Sequence, residues 1–233
     1  MNKVLSTSFD EYKIFVEEFY PKTSFNCTHY RKIIINLFTL VEVTDIYIDY
    51  LKDTNYPDYL SHIKHQFLLM LYNLPNYNSF FISSLQRSVS ESLLRMTLVS
   101  IGHDIGDSNG MPFHRIQEKL KRTDAYKLNQ DNFKTSCDNL FSYFGASSKI
   151  MHNSPSTKQT NIHYIMAFNV APSDLQVERL SKFFKVINDH ILINFSRNNK
   201  INDSTLNLAS KIQLKNIIGI DSYNHYFNSK MNK

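Results

Sequence analysis

The chain has 233 residues, of which 42% are hydrophobic, enough for one substantial core and incompatible with a disordered chain. Only five glycines and six prolines are present, which favours long helices over a β-sandwich with many turns. The formal net charge is +5, but the basic residues are spread along the chain, so charge alone does not indicate a nucleic-acid partner.

The first part of the chain is predicted to form four helices. Their apolar residues recur at a 3.6-residue spacing, which outweighs the strand propensity of a few β-branched positions. Pro21 and Pro75 follow two of these patterns, and Asn78 or Ser79 is placed to cap the fourth. The predicted helices span about 9–20, 28–52, 57–73 and 79–102.

The remaining chain is predicted to form a further series of helices, at about 112–121, 131–152, 172–195 and 204–217. Glycine-containing or polar sequence predicts loops at 103–110 and 153–160, and the short apolar segment 162–170 fits either helix or strand. We therefore expect an all-α helical bundle in residues 29–197, preceded by an N-terminal helix in 1–28 and followed by a small C-terminal helical extension in 198–233.

Targeting signals are lacking in the sequence. It has no apolar stretch typical of a signal peptide at its start and no run of roughly 20 apolar residues. Cys27 and Cys137 match no metal-ligand spacing and are expected to be buried thiols. These features predict a cytoplasmic protein without membrane contact.

The fourth predicted helix contains a regular series of charged residues. Arg87, Glu91 and Arg95 lie four residues apart, so they form one stripe along the helix. Taken by itself, this spacing favours an exposed ladder of ion pairs, each worth a few tenths of a kcal/mol.

A second group of polar residues closes the helix predicted at 131–152. Ser148 lies four residues before His152 on the same helical face, and Lys149 lies three before it. The C-terminal end of a helix favours the charged form of a histidine. The alternative is a capping histidine that bonds the last carbonyls of the helix.

Together, the two segments resemble the HEPN (higher eukaryotes and prokaryotes nucleotide-binding) superfamily, which includes many bacterial defence and toxin proteins. The resemblance covers roughly residues 29–195. Its first motif is Arg-x-x-x-Glu-x-x-x-Arg, and its second is Tyr/Phe-x-x-x-Ser-x-x-x-His at a helix end. The matching residues are Arg87, Glu91 and Arg95 in the first motif, and Tyr143 or Phe144, Ser147, Ser148 and His152 in the second.

The resemblance implies a helical bundle, often dimeric, whose active members are ribonucleases that need no metal or other cofactor. In these, an Arg-x(4–6)-His motif from each protomer meets at the dimer interface, where histidine acts as a general acid or base and arginine stabilises the phosphate charge. It implies catalytic roles for His152, Arg87, Glu91 and Ser148, and substrate contacts for Arg95, Lys149, Ser147 and Tyr143. The implied partners are RNA, a second copy of the chain, and an antitoxin or defence-complex subunit.

The sequence departs from this pattern immediately before His152. Positions 145–147 hold glycine, alanine and serine rather than arginine. Lys149 is cationic, but it lacks the planar fork that grips phosphate. Arg87 or Arg95 is therefore the candidate to supply the guanidinium from the neighbouring helix.

Two further groups were weighed as sites. His62 and His65, with Asp58 one turn earlier, have no third or fourth ligand nearby, so they are interpreted as surface histidines and no metal site is expected. A small basic group near Tyr126 is a candidate RNA-guiding surface or a solvated helix face. Its members are Arg115, Lys119, Lys121 and Arg122.

Two other functions remain open at this point. The missing arginine favours a non-catalytic helical module that binds a partner protein or a nucleotide through the same pocket. Both motifs are short, so an unrelated all-α regulator is the third alternative.

Overall fold

The computed structural model describes residues 3–152 and 170–228, and every regular element in these ranges is helical. The expected all-α fold is thereby confirmed for the described residues. In chain order, the helices are α1 (Lys3–Phe19), α2 (Arg31–Tyr50), α3 (Pro57–Asn73), α4 (Ser79–Ser100), α5 (Ile105–Asn109), α6 (Phe113–Arg122), α7 (Asp124–Lys127), α8 (Phe133–His152), α9 (Asp174–Asp189), α10 (Leu208–Ile218) and α11 (Ile220–Tyr223).

The local signals of the sequence explain most helix boundaries. Pro57 occupies the first turn of α3, where its missing N–H is not needed. The side chain of Asn78 accepts a hydrogen bond from the Phe81 backbone N–H and caps α4. Ser173 and Gln176 form a capping box at the start of α9. These three helices therefore begin where their sequences indicate.

The observed structure differs from the expected one at three places. The first helix begins at Lys3 instead of near residue 9. The segment 103–110 contains the short helix α5, because the Asp104 side chain caps it by accepting from the backbone N–H groups of Gly106 and Asp107. The last predicted helix begins at Leu208, capped by Asn207, and is followed by α11 and a π turn, Asn224–Asn228.

Two expected segments, 153–160 and 162–170, lie outside the described residues except for Val170, which is in neither helix nor strand. The helix expected at 172–195 is present, but it is not α-helical throughout. Helix α9 is followed without a break by a π turn, His190–Phe195, and then by a short α-helical turn, Ser196–Asn198.

The long helices pack in a row, with α2 against α3, α3 against α4, and α4 against α8. Helix α9 contacts both α2 and α8 and so closes the row into a bundle. Buried residues of α1 and of the C-terminal helices, such as Phe9, Leu214 and Tyr223, belong to the same hydrophobic cluster as the bundle. One continuous core therefore includes residues from all three expected segments.

Helix α4 lies at the centre of this arrangement. It buries large apolar side chains, among them Leu85, Val89 and Leu93, and also the small polar side chains Ser90 and Thr97. Burial on several sides of one helix is expected when that helix has neighbours on both flanks.

No helix in the described ranges is both long and apolar enough to cross a membrane. Cys27 and Cys137 are buried free thiols, as expected. Burial raises the pKa of both thiols.

A buried histidine in the π turn joins three helices. His190 is fully buried, with its Nε2 atom 2.7 Å from the Thr97 hydroxyl of α4 and its Nδ1 atom 2.7 Å from the Ser136 hydroxyl of α8. The Thr97 hydroxyl donates its single proton to the Leu93 carbonyl, 2.7 Å away. Thr97 must therefore accept from Nε2–H. Burial disfavours a second proton on the ring, so His190 is neutral and its Nδ1 atom accepts from the Ser136 hydroxyl. Burial lowers the pKa of His190 from 6.5 to about 4.

Acid is predicted to destabilise the fold through His190. The folded state keeps the imidazole neutral down to a pKa of about 4, whereas the unfolded chain binds a proton near its ordinary pKa of 6.5. Stability from this group is therefore complete above pH 6.5 and is lost as the pH falls towards 4. Relative to His190→Gln, the wild type should lose roughly 3 kcal/mol of unfolding free energy across this range, measured by urea unfolding.

The control is His65→Gln, which removes an exposed histidine of α3 and should keep the wild-type pH dependence. Parallel pH profiles for wild type and His190→Gln would show that His190 is not held neutral.

Candidate functional site

Helices α4 and α8 run antiparallel along each other. Near one end of the pair, Thr97 of α4 and Ser136 of α8 share His190. Further along, Arg87 of α4 lies against Phe144 of α8. Residue numbers fall along α4 as they rise along α8, so the C-terminal end of α8 lies towards the N-terminal end of α4.

Arg87 is held on an aromatic platform. Its Cζ atom lies 4.8 Å from the centroid of the Phe144 ring, and that ring stacks on Phe113 of α6 with centroids 3.4 Å apart and planes within 5°. A guanidinium on an aromatic face keeps its N–H groups available at its edge. Arg87 is half-buried and forms no ion pair with any residue that the structure describes.

Glu91 and Arg95 form an ion pair with each other. Nη2 of Arg95 lies 2.5 Å and Nε lies 3.2 Å from Oε1 of Glu91. Arg95 also donates to the backbone carbonyls of Ser108 and Met111, the latter at 2.8 Å. Its side chain is 13% exposed. Arg95 therefore ties the connection between α5 and α6 to α4, and most of its donors are occupied.

The remaining candidates lie on different sides of α8. The Ser148 hydroxyl donates to the Phe144 carbonyl at 2.8 Å, and Ser147 is buried, while Lys149 is exposed. Tyr143 packs edge-to-face on Phe183 of α9 with centroids 5.0 Å apart. Burial raises the pKa of Tyr143, and the nearby Lys182 opposes the rise. Tyr143 thus faces α9 and serves packing there.

His152 is the last residue of α8, and its side chain lies outside the described part of the structure. The backbone nevertheless fixes its position on the helix. Phe144, Ser148 and His152 follow at four-residue intervals, so each step turns only about 40° and the three share one stripe. Arg87 lies on the first member of that stripe, about 12 Å along the axis from the last. We call Arg87, Phe144, Ser148 and His152 the α4–α8 face.

The other groups considered have ordinary environments. Nε2 of His62 lies 2.9 Å from the Ser88 hydroxyl, and the described residues contain no cluster of three or more potential metal-ligating acidic, histidine or cysteine side chains. Tyr126 is buried and its hydroxyl donates to Asp138 at 2.5 Å, so its ring is not free to stack on a base. Lys121 lies over the Phe141 ring, 5.6 Å from its centroid.

No protein-family model matches the chain, and no curated protein or solved structure matches it either.

Two features of the region were not expected from the sequence. No sequence pattern marks Phe113, because its stacking on Phe144 depends on how α6 packs beside α8. His190 lies in the apolar sequence 190–195, and its partners are 54 and 93 residues away, so no local pattern could indicate them.

The two arginines of α4 are predicted to differ in their effect on stability. Arg95→Gln should lower the free energy of unfolding by about 2–4 kcal/mol, because the Ser108 and Met111 carbonyls lose their donor. Arg87→Gln should cost no more than about 1 kcal/mol, since only a half-exposed cation–π contact is lost. Urea unfolding of both variants measures the difference, and equal losses would contradict these assignments.

Proposed function

We propose that this chain is a HEPN-like protein of the defence or toxin type that acts on RNA in the cytoplasm, and that it cleaves RNA at the α4–α8 face without a metal. The observation that carries the proposal is the position of Arg87. Its guanidinium lies on the stripe of α8 that ends in His152, although no arginine precedes His152 in its own helix.

Arg87 has the properties needed to bind a phosphodiester. Its planar fork can donate two parallel hydrogen bonds to phosphate oxygens. The Phe144 ring fixes one face of the guanidinium, which lowers the entropy lost when a phosphate binds. In this role Arg87 stabilises the charge that develops on the phosphate during the reaction.

His152 is assigned the proton transfers. As a general base it takes the proton of the 2′-hydroxyl, whose oxygen then attacks phosphorus. As the bond from phosphorus to the 5′ oxygen breaks, a general acid protonates that oxygen. One chain supplies one His152, so a homodimer that brings two copies together would supply both the base and the acid.

Replacement of His152 is predicted to abolish RNA cleavage. His152→Ala should lower the rate by about 10²–10⁴-fold, the usual contribution of a positioned acid or base. The assay is cleavage of a fluorescently labelled RNA in the presence of EDTA. His65→Ala, which removes an exposed histidine of α3, is the matched control and should cleave at the wild-type rate.

Arg87 is tested separately. Arg87→Gln should lower the rate by about 10²–10³-fold, and Arg87→Lys should restore only part of it, because lysine lacks the bidentate fork. Intact RNA at high wild-type concentration, or equal rates in all variants, would overturn the ribonuclease proposal.

A non-catalytic module is the second candidate function. It is favoured by the closed Glu91–Arg95 pair and by the Ser148 hydroxyl, which donates back to its own helix, because neither then serves a reaction. Such a module would bind a nucleotide or a protein partner, an antitoxin or a defence-complex subunit, through Arg87. It predicts intact RNA together with a binding affinity that falls in Arg87→Gln.

A further inference from the structure

A groove of about 560 Å³ opens between α2, α9 and the C-terminal helices α10 and α11. It lies on a different side of α9 from the α4–α8 face. Phe183 of α9 packs on Tyr143 of α8, whereas the next residue, Phe184, lines the groove. Arg87, Phe144 and Ser148, whose side chains the structure describes, do not line it.

The floor of the groove is apolar. It is formed by Leu40 of α2, Phe184 of α9, Leu192 of the π turn and Ile217 of α10. These side chains belong to the hydrophobic core, and each is at most 7% exposed. A ligand with an apolar body would therefore remove mainly its own apolar surface from water.

The walls of the groove carry positive charge. Lys32 projects from α2, and Lys182 and Lys185 project from α9. Lys182 is paired with Glu178 at 2.6 Å. Lys32 and Lys185 form no ion pair with a described residue. Lys185 does interact with the Asp189 carboxyl, because its charge opposes the rise that burial causes in the pKa of Asp189. Helices α2 and α9 thus each contribute an ammonium group to the lining.

Neutral polar groups lie between the floor and the lysines. Asn36 on α2 and Asn188 on α9 bring side-chain amides to the lining, each with donors and an acceptor. An apolar base with a few convergent polar groups is the usual composition of a small-molecule site. The volume is also of that size, because a helix about 10–12 Å wide would fill it in roughly one turn.

We infer that this groove binds a small organic anion, with its apolar body on the floor and its carboxylate or phosphate between Lys32 and Lys185. The body can be a ring system or an acyl chain, and both share the same chemistry of an anionic head on an apolar body. This site is independent of RNA cleavage and goes beyond the proposed function.

Isothermal titration calorimetry of the full chain tests the inference with three probes: 2-naphthoate, decanoate and inorganic phosphate. At least one of the two organic anions should bind with a Kd below about 1 mM. The anion that binds more tightly shows whether the apolar part of the ligand is a ring system or an acyl chain. Inorganic phosphate should bind at least tenfold more weakly, because it has no apolar part to contact the floor of the groove.

The double variant Lys32→Gln/Lys185→Gln should weaken binding of the organic anion at least tenfold. The matched control is Lys22→Gln/Lys52→Gln, which makes the same change in net charge by removing two exposed lysines outside the groove. This control should keep the wild-type Kd within about twofold. Ser181→Trp, which places an indole in the groove, should abolish binding. Thermal unfolding checks that this variant is folded, and the double lysine variant decides the question if it is not.

His152→Ala should bind the same anion as tightly as the wild type. Anion binding in the groove can therefore be confirmed even if the chain does not cleave RNA. Three results would overturn the inference. These are no organic anion bound below about 1 mM, wild-type affinity in the double lysine variant, and inorganic phosphate bound as tightly as the organic anions.

Discussion

Two hydrogen bonds to the buried ring of His190 hold α4, α8 and the π turn after α9 in register. Because Thr97 and Ser136 contact opposite nitrogens of one buried ring, α4, α8 and the end of α9 cannot shift past one another without leaving a buried polar group unpaired. Each such group costs about 1–3 kcal/mol. The position of α4 along α8 is thereby fixed, and this position places Arg87 beside Phe144.

Helix α4 carries two arginines in different surroundings. Arg95 lies near Thr97, where the chain from Ser108 to Met111 passes close enough to present its carbonyls. Arg87 lies two turns earlier, where α8 presents an aromatic ring instead. Arg95 is consequently bonded into the fold, while Arg87 contacts an aromatic ring and forms no ion pair with a described residue.

The sequence predicted α2 and α3 well, because apolar residues recur along both at the spacing of a helix and Pro57 marks the start of α3. The helices expected at 28–52 and 57–73 are Arg31–Tyr50 and Pro57–Asn73. It missed α5, since its polar sequence also fits a loop, and only the Asp104 cap makes it helical. For the site, spacing predicted an exposed ladder of ion pairs along Arg87, Glu91 and Arg95. The described residues show only the Glu91–Arg95 pair, and the Arg95 side chain is largely buried. Spacing could not predict the stacking of Phe113 on Phe144, the hydrogen bonds of His190 or the groove beside α9. The residues of each come together only through the packing of distant helices.

The most direct test of this account is a crystal structure of the chain with a 2′-deoxy dinucleotide, which binds as RNA does but lacks the attacking hydroxyl. The account predicts that the phosphate lies between the Arg87 guanidinium and the His152 imidazole, within about 3 Å of donors on both. A phosphate bound away from α4 and α8, or an imidazole pointing away from Arg87 and from every neighbouring subunit, would contradict it.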